Sequence, residues 1–283
     1  MSHVLDQNLN YDRPIKLADG VFWVGYNDPH SGLQCNPYLI FDGDEAVLID
    51  GGSRPDFSTV MRKVLQVGVE PRQISHLIYQ HYDPDLCGSI PNFENIIGRP
   101  DLKLISKQEN IAFIRHYSVR SEILCMEAIG RRLVMKSGRT LTFHATPYAH
   151  LAGSFTSYDT ASGILFSSDL FGSVGDPKSW RLFLEVERAC AGCAAPKPTP
   201  DEICGRAGCA CPWTGFTFFH RQIMPCNKAV RYAMDVARSV GPKMIAPQHG
   251  SVLHRPDDIA EAIARIAAME DVGIDGVPPF AGA

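Results

Sequence analysis

The sequence predicts a mixed α/β (α+β) fold of stacked β-sheets with helices outside them. Three observations predict it. Strand-like runs fill the first 50 residues, strands and helices then alternate, and two amphipathic helical stretches close the chain. Strands followed by helices and more strands bury their apolar faces most economically as stacked layers.

The elements follow in order. "GVFWVGY" and "NPYLIFDGDEAVLIDGG" are β-branched and aromatic runs, and "DGD" breaks the second as a hairpin turn. A helix is expected over 55–68, with Val60, Val64 and Leu65 at helical spacing and Gly68 at its end. "SHLIYQ" and "LKLIS" read as strands, and "KQENIAFIRHY" as a helix. Strands resume at "RTLTFHATP", "SFTSYDT" and "GILFSSD". "NKAVRYAMDVARSVG" puts Val230, Ala233, Met234, Ala237 and Val240 on one face, and Gly241-Pro242 stops it. "KMIAPQHG" is a short strand and turn. "PDDIAEAIARIAAMEDVG" is a last helix with Asp near its N-terminus.

The chain has 283 residues, 45% of them hydrophobic and 20% charged, enough for one large domain or two small ones. The reading adopted is a single domain over 1–283, carrying an inserted loop or lobe over 187–215. The net charge of −4 and the lack of a long basic run argue against nucleic acid as a partner. No apolar run approaches the roughly 20 residues of a membrane helix, and the polar start "MSHVLDQNLNYDRP" lacks an apolar signal core. These features predict a soluble cytoplasmic protein. The nine cysteines are then thiols, metal ligands or redox groups rather than a disulfide framework.

The stretch "HYDPDLCGS" ends the strand "SHLIYQ" by crowding His81, Asp83 and Asp85 into five residues. A tight turn after a strand can converge such side chains on one point, where imidazole and carboxylate suit a transition metal. The bland alternative is that Asp-Pro marks a turn and Asp85 caps the next helix. Three later fragments weigh against it. "TPYAHLAGS" offers His150, "ILFSSDLFG" offers Asp169, and "IAPQHGS" offers His249, each where a strand ends in a Gly-containing loop.

The ordered set His-x-Asp-x-Asp, His, Asp, His resembles the metallo-β-lactamase superfamily, in its flavodiiron and oxygen-binding diiron protein (ODP) branch. The resemblance runs from "DGVFWVGYNDP" to "APQHGS" and includes "NPYLI…EAVLIDGG" and "FFHRQIMPCNKAV". It implies an αββα sandwich. By the same resemblance His81, Asp83 and His150 hold one metal, Asp85 and His249 hold the other, and Asp169 bridges the two, which would lie about 3.5–4 Å apart. Beyond metal ligands the resemblance supplies no separate catalytic group.

Two departures shape the expected chemistry. Hydrolases of the superfamily have His-x-His-x-Asp-His, and flavodiiron proteins have Glu at the third position, where this chain has Asp83. An oxygen ligand there favours two irons, with manganese next and zinc as the hydrolytic alternative. Leu86 stands where the hydrolases have the final His, so the second metal is expected to keep open positions beside an apolar wall, which suits O2 or NO. The chain ends soon after His249, so no flavodoxin domain and no FMN are expected in it, and electrons are expected from an external flavoprotein or rubredoxin-like donor. The leading expectation is an oxidoreductase of the O2/NO reductase type. An oxygen sensor or store without turnover and a dinuclear metallo-hydrolase are the alternatives. A homodimer is compatible with each.

Within 187–215, Cys190, Cys193, Cys204, Cys209 and Cys211 form a dense group with one Cys-x-x-Cys, and Cys226 lies downstream. The group suits zinc or an iron–sulfur cluster, although its spacing matches no standard ribbon or ferredoxin run. Redox-active thiols and an inert loop are the other readings. Cys35, Cys87 and Cys125 are scattered, with Cys87 read as a small buried residue. His144 and His220 read as structural or as supports for ligands, and Tyr26, Tyr79 and Tyr148 as core more readily than pocket lining. "GDEAVLIDGG" lacks a phosphate-binding pattern before a helix.

Overall fold

The structure is a computed structural model that describes residues 9–26, 33–175, 180–186, 190, 193, 204 and 211–279. The chain divides into two compact units. The first comprises Met1–Asn27, Cys35–Thr142 and Thr160–Ser162, and the second Asp28–Gln34, Phe143–Asp159 and Gly163–Ala283.

The first unit begins with β1 (Ile15–Ala18), β2 (Val21–Trp23), β3 (Tyr38–Asp42) and β4 (Glu45–Ile49). Then come α1 (Phe57–Val67), β5 (Ile74–Ile78), α2 (Pro84–Cys87), α3 (Ile90–Ile97), β6 (Lys103–Ser106), α4 (Gln108–Ile114) and β7 (Glu122–Cys125). Its sheet has the order β1-β2-β3-β4-β5-β6-β7. The first four strands are antiparallel and β4 to β7 are parallel. Connection length explains the switch. The turn before Glu45 needs only Gly43 at φ 64°, whereas parallel neighbours require a helical crossover. All five residues of β4 are buried, as in a central strand covered on both faces.

Helix α1 corrects one detail of the sequence reading. Val60, Met61 and Val64 are buried, but Leu65 is half exposed, and Lys63 is fully buried instead. The Lys63 ammonium donates to Tyr11 O and Gly25 O at 2.6 Å each and sits 3.9 Å above the Trp23 ring. Two carbonyls and a π-face make the burial of its charge tolerable. Burial, with the Arg62 charge beside it, lowers the Lys63 pKa to about 7.

One of the boundaries between the units falls within β9 (Thr140–Ala145), whose first residues pair with β8 (Arg132–Val134). The second unit continues with β10 (Phe155–Asp159), β11 (Ile164–Phe166), β12 (Phe183–Leu184), α5 (Pro212–Ile223), α6 (Asn227–Val240), β13 (Met244–Ala246), β14 (Val252–Leu253) and α7 (Pro256–Ala267). Its sheet has the order β12-β14-β13-β11-β10-β9, with β8 outermost. Val230, Ala233, Met234 and Ala237 of α6 share one core with Ile259, Ala262, Ile263 and Ile266 of α7 and with Leu165 and Ile245 of the sheet. That is the stripe read from the sequence.

Most of the 187–215 segment lies outside the described residues, and its last four residues, 212–215, form the first turn of α5. Pro212 at the start and the buried Trp213 and Phe216 give that helix its N-terminus and inner face. No helix among the described residues is long and apolar enough to cross a membrane.

Candidate metal centre

In the first unit the ligand-type residues follow β5, where parallel strands present their carboxyl ends. Backbone contacts set the path. Asp50, at φ 51° after β4, accepts the Gln80 N–H on Oδ1 at 3.0 Å, one residue before His81. Ser89 donates to Gly51 O and Gly52 O, tying the start of α3 to the same loop.

His81 is buried, and its Nε2 lies 3.7 Å from Asp83 Oδ2. Asp83 holds the N-cap position of α2, yet its side chain makes no cap hydrogen bond, and Pro84 starts the helix. Asp85 lies in the first turn of α2 rather than at the cap, so the bland reading of Asp85 fails. His81, Asp83 and Asp85 each bring one ligand atom within 4.8 Å of the others.

Two residues that follow the triad, Leu86 and Cys87, carry no charge. Leu86 is fully buried in the core cluster of the first unit, with Val60, Ile90 and Phe93. Cys87 donates its thiol to His81 O at 3.5 Å. Burial pushes the Cys87 thiol well up, and Asp50, Asp85 and Asp83 add to the shift, so it stays protonated. The small buried role read for Cys87 holds. Cys35 was missed. Its Sγ lies 3.9 Å from Asp85 Oδ2, and its strand-like pairing with Tyr26 brings it there. Fifty positions separate the two residues, and no local pattern signals the contact.

In the second unit, Asp169 follows β11 and His249 follows β13. The parallel pairing of those strands brings their ends together. Gln248 N–H donates to Ser168 O at 2.7 Å, and Ser167 Oγ–H to Leu170 O at 2.6 Å. These bonds lock the two loops around Asp169. Its carboxylate oxygens diverge: Oδ2 lies 3.0 Å from His150 Nε2 and Oδ1 lies 3.6 Å from His249 Nε2. His249 Nδ1 lies 2.7 Å from Gln34 O. A carbonyl only accepts, so Nδ1 carries the proton and Nε2 presents its lone pair beside Asp169.

One imidazole with two carboxylates in the first unit, and two imidazoles with one carboxylate in the second, fit a transition metal of intermediate hardness. The first of these sets, with more oxygen than nitrogen, suits iron or manganese.

His220 is structural, as its sequence context suggested. The ring is fully buried, Nδ1–H donates to Phe216 O at 2.8 Å, and Nε2 accepts the Phe171 N–H at 3.1 Å. Nε2 thus holds the backbone two residues beyond Asp169, Nδ1 ties the ring to its own helix, and burial lowers the His220 pKa to about 4. An unfolded His titrates near 6.5. Between those values the unfolded chain binds a proton that the folded chain refuses, so stability falls as pH drops from about 6.5 to 4. The loss from this group is of order 3 kcal/mol. Urea unfolding of apo-protein across that window should show it. His220→Gln keeps a donor and an acceptor but does not titrate, and it should flatten the difference. Identical pH slopes for the two proteins would remove His220 from the account.

Of the remaining residues singled out, Tyr79 is buried in the first core, Tyr26 is half-buried and Tyr148 is largely exposed. His144 lies on β9 and is half-buried. Cys190 and Cys211 are buried in the core of the second unit, and Trp213 Nε1–H donates to Cys190 O at 3.2 Å. Cys193 and Cys204 are half-buried, and Cys209 lies outside the described residues.

Two mixed sheets with helices, and ligand-type His and Asp in the loop after β5 of the first unit and in the loops after β11 and β13 of the second, define a metallo-β-lactamase-like protein. The family model described as "ODP family beta lactamase" matches residues 33–250, and the chain belongs to that family. It is 25% identical over 265 residues to the coenzyme F420H(2) oxidase of Methanothermobacter marburgensis, a match covering 87% of this chain and 59% of that protein. The chain thus spans well under two thirds of that relative. Among solved structures, the apo state of the chemotaxis sensor ODP from T. denticola superposes with a TM-score of 0.71 at 22% identity, covering 93% of this chain and 95% of the sensor. Rubredoxin oxygen:oxidoreductase from Desulfovibrio gigas gives 0.70 at 19% identity, covering 90% of this chain and 61% of that one. At these identities the two structures carry the fold alone.

Proposed function

We propose that the chain is a cytoplasmic non-haem diiron protein that binds O2 or NO and reduces it with electrons from an external carrier. The observation that supports this best is Asp169, whose two oxygens face two different imidazoles. A carboxylate so placed is suited to bridge two metals. In this reading His81, Asp83 and His150 hold one iron, Asp85 and His249 hold the other, and Asp169 touches both. When bound, the iron pair supplies electrons and open positions for a diatomic ligand.

The chain's own groups do the rest. Gln34 O keeps the His249 proton on Nδ1, so Nε2 is free to ligate. Asp50, through Gln80, fixes the backbone that carries His81. Asp83 supplies oxygen where a zinc hydrolase supplies imidazole, which weighs against a hydrolytic zinc pair. The external donor is of flavoprotein or rubredoxin type, and the name rubredoxin oxygen:oxidoreductase supports the second.

The Cys190, Cys193, Cys204, Cys209 and Cys211 group is proposed as a second metal or redox attachment. Its support is the density of thiols, together with the anchoring of Cys190 by Trp213. A second functional reading, oxygen sensing without turnover, is favoured by the near-complete mutual coverage with the chemotaxis sensor.

Metal analysis tests the proposal. Protein produced with ample iron should hold about two irons per chain, and any further iron should come with acid-labile sulfide from the cysteine group. A preparation holding zinc and no iron under those conditions would sink the diiron reading. Oxygen-uptake traces with a reductant then separate reductase from sensor, since the sensor reading expects binding without sustained consumption.

A further inference from the structure

The metal position assigned to Asp85 is short of ligands within the first unit. Leu86, next in the chain, is fully buried in the apolar core and offers no donor atom. Cys35 offers one. Its Sγ lies 3.9 Å from Asp85 Oδ2, and both residues belong to the first unit. Cys35 is half-buried and has no place in the core that Cys87 joins.

The spacing decides between two roles for this thiol. Cys125 and Glu127 show a direct thiol–carboxylate hydrogen bond in the same protein, with Sγ 3.1 Å from Oε2. The Cys35–Asp85 gap is clearly wider than that. It is still narrower than a metal–sulfur bond of about 2.3 Å and a metal–oxygen bond of about 2.1 Å laid end to end, so one ion can touch both atoms. His81 Nε2 and Asp83 Oδ2, proposed ligands of one metal, stand apart in the same way at 3.7 Å.

The backbone holds Cys35 in place. The chain on either side prolongs the β2–β3 pairing: Val24 N–H donates to Pro37 O at 3.0 Å, and Tyr26 N–H to Cys35 O at 3.3 Å. The buried Trp23 Nε1–H donates to Asn36 Oδ1 at 2.9 Å and fixes the residue next to Cys35. Gly25 permits the close approach, because a Cβ there would lie 2.6 Å from Cys35 O. Ligand positions set by a rigid strand pair are the kind that bind a metal with little reorganisation.

We propose that Cys35 is a further metal ligand, a thiolate on the same ion as Asp85. The inference rests on the metal-centre reading above and adds a sulfur to it. As the metal–sulfur bond forms, the S–H bond breaks and its proton leaves to solvent; no electron is transferred. The sulfur makes the two metal positions chemically unlike. Imidazole and carboxylate at His81 and Asp83 suit iron or manganese, whereas thiolate at Asp85 favours iron or zinc. Iron satisfies both. Thiolate also pushes electron density onto its metal, the bias that favours O–O cleavage in haem enzymes.

Cobalt(II) is the probe, because a cobalt–thiolate bond gives a strong near-ultraviolet charge-transfer band that imidazole and carboxylate ligands do not. Metal-free protein is titrated anaerobically as wild type, Cys35→Ser, Cys35→Ala and Asp85→Ala. The other thiols are common to all four, so the wild-type minus Cys35→Ser difference reports Cys35 alone. At saturating cobalt that difference should be a sulfur-to-cobalt band. Both Cys35 variants should bind one cobalt about tenfold or more weakly. Asp85→Ala should lose the same band, and adding Cys35→Ser to it should remove nothing more. Urea unfolding of the metal-free Cys35 variants should match wild type, and Cys35→Ala carries the test if Cys35→Ser folds poorly. Identical bands in wild type and the Cys35 variants overturn the proposal. So does weaker binding with an unchanged band, which would leave Cys35 as a hydrogen-bond partner of Asp85. A Cys35-dependent band that survives in Asp85→Ala overturns it too, because the thiol would then serve another site. Cobalt binding depends on neither the native metal nor the gas chemistry. A protein that holds no iron and consumes no oxygen therefore defeats the functional reading, while this ligand is judged on its own result.

Discussion

Asp169→Ala is expected to empty both metal positions, whereas His249→Ala should leave one largely filled. The difference follows from geometry within the second unit. Asp169 Oδ2 sits against His150 and Oδ1 against His249, so this one carboxylate serves two imidazole-lined points. If it bridges two metals, removing it would take an anionic oxygen from each and the negative charge from between them. Removing His249 takes one neutral nitrogen from one point. Loss of a mere support for a ligand typically costs 10–100-fold in metal affinity, and loss of a shared ligand should exceed that range, at about 100-fold or more. Anaerobic Fe(II) titration with iron counted per chain would measure it. Asp169 is buried and Ala is smaller, so the variant should fold; circular dichroism checks that point. If Asp169→Ala holds two irons at full occupancy, Asp169 bridges nothing.

The sequence made this residue legible because chemistry-bearing residues at strand ends are local features. "ILFSSD", "IAPQHG" and "SHLIYQHYDPD" each show an apolar run stopping at a ligand-type side chain, and β11, β13 and β5 occupy those runs. The hairpin at "DGD" and helices α1, α6 and α7 were equally legible, because turn residues, glycine stops and apolar periodicity are written over a few consecutive positions. Long-range pairing was not. That His249 is oriented by Gln34 O, and that Cys35 lies beside Asp85, depends on contacts spanning 215 and 50 positions.

Lys63 shows a different limit. Helical spacing pointed to Leu65 as an inward residue and gave no reason to bury a lysine. The outcome turned on two backbone carbonyls and a tryptophan face contributed by Tyr11, Gly25 and Trp23. The first turn of α5 was hidden for a third reason. It opens directly out of a Cys-, Pro- and Gly-rich stretch, and the composition of that stretch masks the Pro-Trp helix start.

The second large effect is expected at Gly250, directly after His249. Gly250→Ala should destabilise the protein by about 2–4 kcal/mol and lower its metal content, from two additive causes. Gly250 has φ 80°, where an L-residue is strained by roughly 1 kcal/mol. A Cβ there would also lie 2.1 Å from Ser173 Oγ and 2.9 Å from Ser173 N. The hydroxyl can rotate away but the backbone nitrogen cannot, so the loop after Asp169 must shift, an overpacking cost of about 1–3 kcal/mol. That loop and the His249 loop are joined through Gln248 N–H and Ser168 O, so the shift reaches two proposed ligands together. Gly43→Ala is the control, because Gly43 has φ 64° but open space around its missing Cβ. It should cost the strain alone and leave metal content unchanged. Adding Ser173→Ala to Gly250→Ala removes the 2.1 Å contact but not the 2.9 Å one, so it should recover part of the stability and not all of it. Urea unfolding of the four proteins, with iron counted in each, checks the account. If Gly250→Ala costs no more than Gly43→Ala, the close approach of the two loops is not what requires glycine at 250.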